Sequence, residues 1–108
     1  MEPITIDLGD KRFELKPTYK AMQTISKNNA GLMNALQRLS RLEFETMHDV
    51  ICAGIGPESL STPKQRDEIG ELIYAAGFTD DTGNLASKCV SFIMLLMRGG
   101  KQKAEEGK

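Results

Sequence analysis

Residues 4–15 read ITIDLGDKRFEL, and the fold class turns on them. Ile4, Ile6 and Leu8 alternate with Thr5 and Asp7, then Phe13 and Leu15 alternate with Arg12, Glu14 and Lys16, with Gly9-Asp10 between the two runs. Alternation of period two on both sides of a glycine-containing turn predicts a β-hairpin, residues 3–16, with one apolar face. A lone hairpin is barely stable in water, so that face needs a cover, from following helices or from another chain. A free hairpin edge can also accept a strand from a partner or from a second copy, so a homo-oligomer is one expected assembly.

From residue 18 onward the period changes to that of helices. Pro17 closes the second strand and Thr18 can cap a helix with Tyr19, Met22 and Ile25 inward, ending at Asn28-Asn29. A short second helix carries Leu32, Leu36 and Leu39. A third starts near residues 44–46 and carries Met47, Val50 and Ile51, with Gly54 and Gly56-Pro57 read as its stop. After a loop at residues 58–62, Thr62-Pro63-Lys64-Gln65 combines an N-cap threonine, proline at the first helical position and glutamine at the third. The helix it starts continues through Ile69, Leu72, Ile73 and Ala76 to Gly77, with Phe78 free to fold back on its last turn. Polar residues 79–83 lead into a last helix, about residues 83–98, that Gly99 terminates. The expected architecture is therefore α+β and mostly α: a hairpin followed by about five short helices in one domain, residues 1–98. Residues 99–108 read as a flexible charged tail.

Composition narrows the function. The 108 residues are room for one domain with a modest core. Fourteen Lys and Arg against fifteen Asp and Glu leave no concentrated positive field, so nucleic acid is not an expected partner. A helix-turn-helix reading fails because the helix from Pro63 turns from Lys64, Gln65 and Arg66 to Asp67, Glu68 and Glu71. Cys52 and Cys89 lie 37 residues apart inside apolar helical patterns, as small buried hydrophobes of a reduced, cytoplasmic protein. The N-terminus lacks the basic and apolar segments of a secretory signal, and no run approaches the roughly 20 apolar residues of a membrane span.

No constellation of residues spells out catalysis. His48 stands beside Asp49 and shares a helix face with Cys52, but an apolar setting raises a thiol pKa, so the pair reads as a surface histidine and a buried cysteine. Asp80-Asp81 has no third or fourth metal ligand, and a capping role suffices. Gly54-Ile55-Gly56 lacks the preceding strand and further glycines of a nucleotide loop. No catalytic, cofactor or metal residues are assigned. Residues 89–97, CVSFIMLLM, pose a different question. At about 100° per residue Leu85, Ala86, Cys89, Phe92, Ile93 and Leu96 share one side of the last helix, with Ser87, Lys88, Ser91 and Arg98 opposite. Leu95 falls among the polar residues and Met94 at their edge. Met94, Leu95 and Met97 are the candidate partner-binding residues.

The succession of a hairpin ending in FELKPTYKAM, a break at NNAGLMNALQRL, a helix at ETMHDVICAGIG, a capped helix and an apolar helix resembles the small tail-assembly-chaperone-like proteins of gene transfer agents and related siphophages. The resemblance spans about residues 4 to 98. It implies a role in virion morphogenesis in the host cytoplasm, by association with tail tube or tape-measure protein, and no enzymatic activity. A structural tail component and a small helical adaptor unrelated to phage are the competing readings.

Overall fold

The computed structural model describes residues 4–56, 62–77 and 85–99. Expectations for residues 57–61, 78–84 and 100–108, among them the acidic cap at residues 80–81 and the tail, lie outside the described residues. The observed order is β1 (Ile4–Leu8), β2 (Lys11–Leu15), α1 (Tyr19–Asn29), α2 (Leu32–Ser40), α3 (Phe44–Ile55), α4 (Pro63–Ala76) and α5 (Leu85–Met97). This is the hairpin and five helices that the change of period predicts.

β1 and β2 pair antiparallel, with Ile4 opposite Leu15, Ile6 opposite Phe13 and Leu8 opposite Lys11. Gly9 takes φ +69° at the first central position of the two-residue turn, where a side chain would be strained. Ile6, Leu8 and Leu15 are fully buried and Ile4 and Phe13 half-buried, so the apolar face is covered within the chain. α3, α4 and α5 supply the cover, reaching β2, β1 and β1 respectively. Ile25, Leu39, Met47, Val50, Ile51, Ile73, Phe92 and Ile93 complete one continuous core.

Helix ends form as their residues dictate. Thr18 Oγ1 accepts from the Ala21 N–H at 3.0 Å. At α4 both arms of the capping box are made: Gln65 N–H donates to Thr62 Oγ1 at 3.2 Å, and Thr62 N–H donates to Gln65 Oε1 at 3.1 Å. Two expectations change. Tyr19 is 71% exposed; Ala21, Ile25 and Asn29, spaced by four, form the buried line of α1, and Tyr19 stands about 120° from its centre. Gly54 does not stop α3, which runs on to Ile55 with Gly56 as its C-cap. Its role is close approach: a Cβ there would lie 2.8 Å from Leu15 Cδ2 and 3.3 Å from Leu15 Cα. The Lys16 N–H donates to the Gly54 carbonyl at 2.9 Å, locking α3 onto the end of β2.

Candidate partner-binding site

α5 ends in the residues proposed as contacts, and the structure separates them. Met94 and Met97 are 43% and 42% exposed, and with half-buried Val90 they form an apolar stripe at i, i+4, i+7 on the outer side of the helix. Leu95 is not part of it. At 7% exposure it is buried, because α5 is enclosed by α1, α2, α3 and β1 and not packed on one stripe alone. Lys88, one heptad earlier on the side of Leu95, shows what that sector faces: its Nζ donates to the Thr5 carbonyl on β1 at 3.0 Å. The polar residues that made this sector look solvated include a lysine whose ammonium reaches the edge of the hairpin.

The second surface is a cleft of about 730 Å³ where the end of α1, α2, α3 and the start of α4 meet. Its floor is Asp49, 8% exposed. Asn28 Nδ2 donates to one carboxylate oxygen at 2.8 Å, Asn29 Nδ2 to the other at 3.1 Å, and Arg66 of α4 stands 3.9 Å away. Asn29 is itself buried; its amide also donates to the Ile25 carbonyl at 2.9 Å, its Oδ1 accepts from Arg38 at 3.3 Å, and its backbone carbonyl accepts from Asn34 Nδ2 at 2.7 Å. The carboxylate thus joins three helices and Asn29 brings in α2, and among the described residues no buried side-chain polar atom lacks a partner. In the sequence Asn28-Asn29 reads only as a helix end. The paired asparagines were the available signal, but nothing local says which acid they meet.

His48 is half-buried in the cleft wall, correcting its reading as a surface residue. Its ring stacks on Phe44 with centroids 5.6 Å apart, and Nε2–H donates to the Arg66 carbonyl at 2.7 Å. A Cβ at Gly70 of α4 would meet the edge of that ring at 3.4 Å, an ordinary contact distance. Cys52 is buried, and desolvation pushes its thiol up to about 11; the same cause pushes the Cys89 thiol up to about 12. His48, Asp49 and Cys52 are thus each occupied by packing or hydrogen bonds. Among the described residues no group of three or more His, Cys, Asp and Glu is placed to hold a metal ion, and no helix is long and apolar enough to cross a membrane.

The raised thiols make a pH prediction. Both thiols ionise at higher pH when folded than at the ordinary value of 9.0, so the folded state holds its protons longer. Their contribution to stability is complete below pH 9 and is lost as pH rises toward about 12. Urea midpoints across that range fall with pH, and a thiol reagent at pH 8 modifies neither cysteine until denaturant is added. Rapid modification of the native protein contradicts the burial.

No family model, no curated protein and no solved structure matches the chain.

Proposed function

We propose that this chain is a binding protein without chemistry of its own and that, following the resemblance over residues 4 to 98, it serves in the host cytoplasm as a tail assembly chaperone for tail tube or tape-measure protein. The observation that carries the binding part is the Val90, Met94 and Met97 stripe, an apolar strip beside Ser87 and Ser91 on the exposed side of a helix whose other side is buried. Unbranched methionine side chains adapt to varied apolar partners, and a strip at this spacing suits a helix laid alongside. The engagement of His48, Asp49 and Cys52 in packing and hydrogen bonds supports the absence of catalysis. The tail-specific part rests on the resemblance alone.

Co-expression with the tail tube and tape-measure proteins of the same genome tests this reading. The wild-type chain raises their soluble fraction, and a Met94→Glu, Met97→Glu variant does not while keeping its own melting temperature. Equal effects of wild type and variant remove the stripe from the proposal, and no effect of either removes the tail partner. Mass spectrometry of purified particles separates a chaperone, which is absent, from a structural tail component, which is retained. Leu95→Glu is a control of opposite kind: a charge at a buried position lowers stability by about 2 kcal/mol.

A further inference from the structure

The hairpin has two outer edges, and they are treated differently. With a two-residue turn, Leu8 and Lys11 form the first hydrogen-bonded pair, followed by Ile6 with Phe13 and Ile4 with Leu15. The residues between them turn their backbone groups outward: Thr5 and Asp7 on β1, Arg12 and Glu14 on β2, and then Lys16. Two contacts confirm this phase. The outward carbonyl of Thr5 accepts from Lys88, and the outward N–H of Lys16 donates to Gly54. On β1 the edge is crossed by Lys88 at the Thr5 carbonyl, and the outward groups of Asp7 have no partner among the described residues. On β2 the stretch from Arg12 to Glu14 is left open: the outward N–H and C=O groups of these two residues have no partner among the described residues.

We propose that this open edge pairs with the same edge of a second copy, antiparallel about a twofold axis through Phe13. The sequence of β2, KRFEL, is complementary to itself in that register. Arg12 of one copy lies directly opposite Glu14 of the other, twice, and each such pair exchanges two backbone hydrogen bonds because both residues point outward. The side chains of Arg12 and Glu14 are exposed and stand on the face away from the core, so opposite charges meet across the strands. Arg12 binds Asp7 of its own hairpin through Nε at 2.9 Å, which leaves the terminal guanidinium nitrogens for the second copy. Glu14 has no ionic partner among the described residues. Phe13, half-buried at the rim of the apolar face, meets its twin in a non-hydrogen-bonded pair, where side chains approach most closely. Parallel pairing in register would instead set Arg12 beside Arg12 and Glu14 beside Glu14, so charge selects the antiparallel arrangement. The contact spans three residues because α3 closes the edge at Lys16, so the interface is small and the dimer weak. It stands apart from the tail-assembly reading and from the α5 stripe.

Sedimentation velocity over a concentration series into the millimolar range tests it, with two charge variants and one cross-link. The wild type shifts from monomer to dimer. Glu14→Arg, which sets arginine against arginine twice, raises the Kd at least about tenfold. Arg12→Glu combined with Glu14→Arg reverses every pair and restores dimerisation, an outcome that damage to the fold does not give. Phe13→Cys forms an intermolecular disulfide on mild oxidation much faster than a Lys20→Cys control, and circular dichroism shows that each variant is folded. A wild type that stays monomeric throughout overturns the proposal, as does a dimer indifferent to both charge variants or a Phe13→Cys chain that cross-links no faster than the control.

Discussion

Asp49→Ala lowers the free energy of unfolding by about 2 to 3 kcal/mol, measured by urea denaturation with an unchanged m-value. The loss does not come from packing, since alanine suits the middle of α3. It comes from the amides left behind: Asn29 is buried and keeps only the Ile25 carbonyl as an acceptor for its NH2 group, and Arg66 loses the carboxylate that its guanidinium approaches. Removing one member of a buried, fully paired network costs the desolvation of the partners that remain. Asp49→Asn is isosteric but offers one oxygen where the carboxylate offers two, so it keeps one asparagine contact, loses the other and falls between wild type and alanine. A loss below about 0.5 kcal/mol for Asp49→Ala would mean that water entering the cleft satisfies Asn28 and Asn29 as well as the carboxylate does.

Two glycine substitutions are expected to have opposite signs. Gly54→Ala destabilises by about 2 kcal/mol despite the better helix propensity of alanine, and Gly54→Val by more. The new Cβ at position 54 meets Leu15 at 2.8 Å from Cδ2, 3.0 Å from Cβ and 3.3 Å from Cα. Cδ2 can rotate away, but Cβ and Cα belong to a strand held to α3 by the Lys16 to Gly54 hydrogen bond, so the helix has to lift off the hairpin. At Gly70 the nearest atoms are the ring edge of His48 at 3.4 Å and Phe44 Cζ at 3.7 Å, both within reach of small side-chain adjustments. Gly70→Ala therefore leaves stability unchanged or raises it by up to about 1 kcal/mol, the helix-propensity gain. Thermal melts of the two alanine variants side by side decide the matter. Equal losses would mean that the α3 to β2 approach is no tighter than the α3 to α4 approach.

Much of the architecture was legible because it depends on neighbours in sequence. The alternation about Gly9-Asp10 specifies the hairpin and its buried face, and Thr62 with Gln65 specifies the start of α4, because the groups that satisfy one another are three residues apart. Gly77 and Gly99 mark ends in the same local way. The candidate site was less legible. Met94 follows from helix phase alone, whereas Leu95 does not: the phase places it correctly beside Lys88, but whether that side meets water or β1 depends on where the hairpin lies.

The residues alone therefore determined the kind and order of the elements, their caps and turns, and the apolar faces they must cover, since these arise from spacings of two to four residues along one chain. Only the tertiary arrangement decided that Asp49 gathers Asn28, Asn29 and Arg66, that Gly54 touches Leu15, and that one edge of β2 stays open while Lys88 crosses the edge of β1. Each of these is a meeting of groups distant in sequence, fixed by how several helices share one core, and no local periodicity encodes it.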